Sequence, residues 1–259
     1  MNEIALVTYT NSVCHDVLEI HLSQIEKFAK NFKSYVFTDN LDKILIEKFD
    51  NHQFLKYENE KKYYEQYLRC LKSVKENFII YLQEDFFLYD NVDIERLQTC
   101  LDFLKNSEYS YVRLIKTILQ GGIHRKELKI KEYPDIQLTN NIYDAYVSDP
   151  DSFAFHMQAT LWKKSDFISL YDHVKSEKWL ESREWDQGMR EIKMKGSFYH
   201  DYKFNQKYGK YHWQSVIYPH VCTAVGKGKW SLTHHKYLDN ILEKILKSYD
   251  VDLSIRGTR

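Results

Sequence analysis

Residues 78–90 read FIIYLQEDFFLYD. An apolar run, Phe78 to Leu82, passes without a break into Gln83, Glu84 and Asp85, and then apolar residues resume. The run is β-branched and aromatic, the composition of a strand buried on both faces. An unpartnered carboxylate inside such a strand costs several kcal/mol, and two neighbours also repel each other. The acids therefore mark the strand's mouth. There they can hold a divalent metal or accept hydrogen bonds from a sugar or ribose. A turn that solvates both acids is the competing reading.

Short apolar runs alternate with helical patterns on both sides of this strand. Residues 4–9, IALVTY, form a β-rich run that ends in turn and cap residues. Val17, Ile20, Ile25 and Phe28 then recur on one helical face. SYVFTDN (34–40) is a second strand and 54–57 a short third. Residues 60–76 read as a helix with Tyr64, Tyr67, Leu68 and Leu71 inward; 97–105 is helical and 109–115 strand-like. Strands alternating with helices of this length predict an α/β class with a mostly parallel, Rossmann-like sheet covered on both faces. Such sheets bind ligands beyond the carboxyl ends of their strands. Thr8-Tyr9-Thr10, Asp39-Asn40 and Gln83-Glu84-Asp85 all fall at such ends, so three polar clusters converge on one rim.

Residues 116–150 are polar and irregular and are expected to line or cover that rim. SFAFHMQATLW (152–162) reads as a strand running into the helix KKSDFISLYDHV, and WLESREWDQGMREIKMKG holds another helix. From 208 the pattern gives a short strand and a Gly-rich loop, AVGKGKW. Residues 236–250 form an amphipathic helix expected to dock on the core, the alternative being attachment to a membrane surface. The chain is read as one domain, 1–259, with a binding part at 1–115, a second-substrate side at 116–235 and a closing helix and tail at 236–259.

The 37 basic and 37 acidic residues give no net charge, which argues against a dedicated nucleic-acid binder. No apolar run approaches the roughly 20 residues that span a bilayer, and no secretory signal is visible at the start. The four cysteines, Cys14, Cys70, Cys100 and Cys222, form no CxxC pair, so they read as reduced thilols of a cytoplasmic protein rather than zinc ligands.

An apolar strand, an acid pair and then FFL together resemble the signature of GT-A-type glycosyltransferases that use nucleotide-sugar donors, bacterial and viral surface-polysaccharide transferases in particular. ALVTY is similar to their nucleotide-binding first strand and YVFTDN to the second. YYEQYLRCLKSV is similar to the helix before the acidic motif. FHMQATLWKKSDF and KWLESREWDQG resemble an acceptor-side segment, and AVGKGKW and the terminal IRG resemble the ends of those proteins. The stretches span about residues 4–257. The resemblance implies a single GT-A-like domain, a UDP- or GDP-linked sugar donor, Mn²⁺ or Mg²⁺, a glycan or lipid-linked glycan acceptor, and inversion through a glutamate base. The expected location is the cytoplasm, with the inner face of a membrane and peripheral contact there as the further option. The usual acidic motif is Asp-x-Asp, whereas this chain has Gln83-Glu84-Asp85. Neighbours on a strand face opposite ways, so Glu84 and Asp85 share a ligand only where the backbone turns.

Such a transfer needs the leaving diphosphate neutralised, the sugar positioned and the acceptor hydroxyl deprotonated. Asp85 is the first candidate for a metal, with His220 as a second ligand by resemblance; a packed imidazole is the plainer reading of His220. Arg69, Lys227, Lys229 and Arg256 are the candidate cations, and Thr8, Tyr9, Asp39 and Glu84 the remaining donor-side residues. The two lysines of AVGKGKW sit among small residues, so their backbone can approach a phosphate closely. For Arg256, an undocked tail is the alternative. The resemblance places a catalytic glutamate near WLESREWD, which offers Glu181 and Glu184, with Asp186 close by and Asp149 and Asp151 as further candidates. His156 and Gln158 alternate along FHMQ and can meet sugar hydroxyls; Trp162 and Trp185 can stack on sugar rings or serve as core. Two rival functions remain: a sugar-phosphate nucleotidyltransferase, against which TYTNSVCHD lacks the expected glycines, and a non-catalytic carbohydrate-binding module.

Overall fold

In the computed structural model, which describes residues 2–116, 136–145, 158–178, 182–205, 207–208, 212–232 and 240–259, the apolar runs line up as one sheet. The strands are β1 (Ile4–Tyr9), β2 (Lys33–Thr38), β3 (His52–Lys56), β4 (Phe78–Gln83), β5 (Tyr111–Arg113), β6 (Gln137–Thr139), β7 (Ile142–Asp144), β8 (Thr160–Lys163) and β9 (Gly196–Tyr199). Their order across the sheet is β3-β2-β1-β4-β8-β5-β9-β7-β6. β1 pairs in parallel with both β2 and β4, and β2 with β3. β8 enters between β4 and β5 and runs antiparallel to both, and β7 runs antiparallel to β9 and β6. The expected α/β class with a mostly parallel sheet is therefore what the chain forms. The irregular stretch expected at 116–150 contains the antiparallel pair β6–β7, and β9 and the short helix Lys43–Lys48 are further elements that the sequence pattern did not single out.

Period-2 alternation splits the core into two layers. Ile4, Leu6, Ile80 and Leu82 face one side, where α1 (His15–Phe28) packs with Leu18, Leu22 and Ile25. Ala5, Val7, Ile79 and Tyr81 face the other, toward Tyr67 and Leu71 of the helix Tyr63–Ser73 and Phe167 and Tyr171 of the helix Lys164–Val174. Because β1 and β4 are covered on both sides, their sequences are continuously apolar rather than alternating.

The closing elements form a third cluster at the strand exits. Leu242, Ile245 and Leu246 of the helix Ile241–Ser248 are buried with Val17, Ile20, Phe87 and Trp230, so the amphipathic helix docks on the core. Among the described residues no helix is long and apolar enough to cross a membrane.

Candidate functional site

The strand β4 ends at Gln83, and the chain turns immediately: the Phe86 N–H donates to the Gln83 carbonyl at 3.1 Å. Glu84 and Asp85 occupy this turn. The turn lifts the opposite-face constraint of an extended strand, and both residues line one cavity of about 220 Å³ with Tyr9, Thr10, Asn11, Gln83 and Val225. The parallel pairing of β1 with β4, Tyr9 opposite Gln83, brings the two strand ends together.

The carboxylates are poorly compensated. Asp85 is 7% exposed. Its side chain accepts one backbone hydrogen bond, from the Val225 N–H at 3.3 Å, and its carbonyl accepts from the Ala224 N–H at 3.1 Å. Burial, together with the neighbouring Glu84 charge, raises its pKa well above the usual carboxylate range. Burial likewise raises Glu84, and the Cys14 thiol and the Arg256 charge pull it back in part. Cys14 is in turn pushed up to about 12, by burial first and by Glu84 second. Two adjacent acids, one buried and one half-buried, that resist ionisation alone suit a hard cation that keeps water or phosphate oxygens as its other ligands. Among the described residues no third His, Cys, Asp or Glu joins them into a protein-only metal cage.

Val225 comes to the cavity from a hairpin that carries two lysines. Val225–Gly226 and Lys229–Trp230 form a two-residue hairpin whose turn residues, Lys227 and Gly228, have φ of 52° and 76°. Positive φ at both central positions matches the twist of a tight hairpin. The final segment lies against it: the Trp230 N–H donates to the Gly257 carbonyl at 3.0 Å, and the Arg259 N–H to the Trp230 carbonyl at 2.9 Å. Arg256 Nε donates to Asp16 at 2.6 Å, and its Nη2 to the Val13 carbonyl at 3.0 Å. The tail is thus docked, and Arg256 sits close enough to Glu84 to lower its pKa.

Other anticipated residues fall elsewhere. Even parity turns Thr8 away from the cavity, into the core, where its hydroxyl lies 3.0 Å from His21 Nε2. Tyr9 does line the cavity; its hydroxyl donates to Gln66 at 3.1 Å and its ring stacks on Tyr67 and Tyr57. Asp39 fastens the β1 exit instead, accepting from the Ser12 N–H at 2.7 Å and from Asn59 at 3.1 Å. Burial works to raise the Asp39 pKa, but the hydrogen bonds from Asn59 and Ser12 outweigh it and lower it. Arg69 is engaged with Glu58 at 2.5 Å on the exposed helix face. His220 does not reach Asp85: an antiparallel bridge places it beside Leu88, and its Nδ1 donates to the Tyr218 carbonyl at 2.6 Å. Lys227 and Lys229 are exposed on the hairpin.

In the part of the chain expected to serve a second substrate, Gln158 precedes β8, whose first residue Thr160 pairs with Tyr81, so it lies beside the Gln83 end of β4. Trp162 and Trp185 are enclosed, at 2% and 1% exposure, against Tyr111 and Tyr171. Rings shielded on both faces cannot stack on a sugar, which corrects that expectation. Glu184 is exposed in the first turn of the helix Ser182–Glu191, while Asp186 is held by Arg190 at 2.7 Å. Glu181, His156, Asp149 and Asp151 lie outside the described residues. Asn11 and Val225 were not anticipated: neither is distinctive in sequence, and only the strand register and the hairpin bring them to the cavity.

No protein-family model matches the chain, and no curated protein matches it. Among solved structures it is similar to the bifunctional IspDF from Campylobacter jejuni, at 11% identity and a TM-score of 0.48 over 77% of this chain and 50% of that one. It is also similar to CMP:2-keto-3-deoxy-manno-octonic acid synthetase complexed with CTP, at 10% identity and a TM-score of 0.47 over 76% of this chain and 89% of that one. S. aureus TarS is similar at 13% identity and a TM-score of 0.47, over 99% of this chain and 68% of that one. The chain thus spans half the length of the IspDF chain. Likeness at these identities and TM-scores assigns neither family nor activity.

Proposed function

We propose that the chain is a transferase using a nucleotide-sugar donor, a single GT-A-type domain over residues 1–259. In this reading it moves one sugar from a nucleotide diphosphate sugar to a glycan or lipid-linked glycan, in the cytoplasm at the inner face of a membrane. The observation that carries the reading is the adjacent pair of a half-buried Glu84 and a buried Asp85 at a strand-end cavity, with a single backbone donor on the Asp85 carboxylate and the Arg256 charge acting on Glu84. Mn²⁺ or Mg²⁺ held by these carboxylates would supply charge that stabilises the leaving diphosphate. Lys227 and Lys229, on the hairpin whose Val225 lines the cavity, and Arg256, on the tail docked against that hairpin, would add cationic charge in this reading. Tyr9, Thr10 and Asn11 form the donor-side floor. Inversion needs a base for the acceptor hydroxyl. Glu184 is the described candidate, at the start of its helix, and Glu181 the second.

Thermal unfolding in the presence of UDP, GDP, CDP, TDP or CMP, each with Mn²⁺ or with EDTA, tests the reading by mass action. One diphosphate should raise Tm clearly, and EDTA should remove the shift. A panel of nucleoside triphosphates run alongside covers the nucleotidyltransferase alternative: stabilisation by a triphosphate alone would favour it. Folded protein that no nucleotide stabilises would refute both.

A further inference from the structure

His21 of α1 is a polar ring in an apolar layer. It is 0% exposed, and its helix neighbours Leu18, Leu22 and Ile25 belong to the core. Its two nitrogens meet two different elements. Nδ1 lies 3.1 Å from the Phe86 carbonyl, and Nε2 lies 3.0 Å from the Thr8 hydroxyl. A carbonyl only accepts, so Nδ1 carries the proton, and the neutral ring accepts from the Thr8 hydroxyl at Nε2. Burial lowers the pKa to about 3, which keeps the ring neutral. Both partners adjoin the strand-end cavity: Thr8 is followed by Tyr9 and Thr10, and Phe86 is preceded by Glu84 and Asp85, and these four line it. Main-chain bonds hold the acid turn from the Phe86 N–H to the Gln83 carbonyl and from the Ala224 N–H to the Asp85 carbonyl, each at 3.1 Å. His21 adds a side-chain donor at the next carbonyl. Cys14, about two helical turns earlier, hydrogen-bonds the Glu84 side chain. The start of α1 thus meets the turn at Glu84 and its middle meets it at Phe86. An apolar side chain would fill the same layer without the cost of burying an imidazole; a donor is needed only to fix the Phe86 carbonyl.

We infer that His21 is a positioning residue for the acid pair: through Thr8 and the Phe86 carbonyl it ties the end of β1 to the turn after β4, so that Glu84 and Asp85 face one cation. The inference rests on the donor reading above and adds a residue which that reading does not use. His21 touches neither cation nor nucleotide, and it acts through the backbone on either side of the cavity.

The test compares the wild type with H21L, H21N, T8V and T8S, each checked for an unchanged folded spectrum. Asparagine and leucine share one branched shape, and only asparagine can donate to the Phe86 carbonyl. Mn²⁺ binding is read by electron paramagnetic resonance of the free ion. Binding of UDP, GDP and the corresponding nucleosides is read by isothermal titration with Mn²⁺ present. H21L should weaken Mn²⁺ and the diphosphate about tenfold, the low end for a group that orients a metal ligand without touching the metal, and leave nucleoside binding unchanged. H21N should recover most of the loss. T8V should weaken Mn²⁺ in the same direction and T8S should match the wild type, because only the hydroxyl is at issue. A merely structural histidine would lower Tm in H21N and H21L and leave Mn²⁺ affinity untouched. The ring ¹⁵N signals of the wild type should report the Nδ1–H tautomer. An Nε2–H tautomer, or wild-type Mn²⁺ affinity in H21L, would overturn the assignment while leaving the donor reading intact. If H21L does not fold, T8V decides, and wild-type Mn²⁺ affinity in it would overturn the assignment. A wild type that binds neither Mn²⁺ nor a diphosphate would refute both.

Discussion

Replacing Asp85 by Asn should stabilise the ligand-free protein. Asp85 is 7% exposed, one backbone N–H serves its carboxylate, and the adjacent Glu84 repels it. Asparagine has the same shape, can still accept from the Val225 N–H, and removes the buried charge. Leaving a buried polar group unsatisfied costs about 1–3 kcal/mol and more when it is charged, so a gain of about 2 kcal/mol is expected. In a chain of this size that corresponds to roughly 4–8 °C in Tm. The sign depends on pH. The Asp85 pKa is raised on folding, so its favourable protonated form contributes fully below the unfolded carboxylate pKa of about 4 and is lost as pH rises. The two proteins should thus melt together near pH 4 and separate toward pH 7.5, with D85N the more stable. Mn²⁺ plus the binding nucleotide should then stabilise the wild type and not D85N. Differential scanning fluorimetry across pH reads each of these. A D85N protein less stable than wild type at pH 7.5, or a Tm difference that does not change with pH, would refute the argument that the acid pair is an uncompensated charge awaiting a cation.

Y57F should cost about 1 kcal/mol, because the Tyr57 hydroxyl donates to the Thr10 carbonyl at 2.8 Å in a buried setting; urea unfolding measures this, and titration should show a weaker nucleotide since Thr10 lines the cavity. E184Q should lower kcat by about 10²–10⁴ with little change in KM if Glu184 is the base, and an unchanged kcat would transfer the role to another acid. Burial lowers the pKa of His21 to about 3 and of His52 and His200 to about 4. Their neutral forms support the fold above the unfolded histidine value of about 6.5, and that support is lost as pH falls toward 4; in acid titrations followed by circular dichroism, H52Q should flatten this branch.

Much of the strand-end cavity was legible because strand burial leaves a local record. FIIYL and IALVTY can be so apolar only where both faces are covered, and an acid pair cannot remain inside such a strand. Cavity-lining Tyr9, Thr10, Gln83, Glu84 and Asp85 follow from that rule alone. Thr8 shows its limit. Counting to a strand end selects three successive residues, but only the phase of the pleat decides that Thr8 faces His21 while Tyr9 faces the cavity. Trp162 and Trp185 show another limit, since a tryptophan suits a core or a platform equally until its neighbours are known. Arg256 and Arg259 lie in a polar stretch that carries no periodic signal.

The sequence by itself determined the α/β class, the layers that sandwich β1 and β4, and the position of the acids at a strand mouth. Each of these follows from periodicity and from the cost of burying charge, which act over a few residues. Tertiary structure alone decided that β8 inserts antiparallel between β4 and β5, that His220 lies beside Leu88 rather than Asp85, and that the tail docks on the hairpin at Trp230. Contacts of this kind join residues up to 243 positions apart, as Arg256 and Val13 are. Contacts between distant segments are selected by the packing of the whole chain, and no local pattern encodes them.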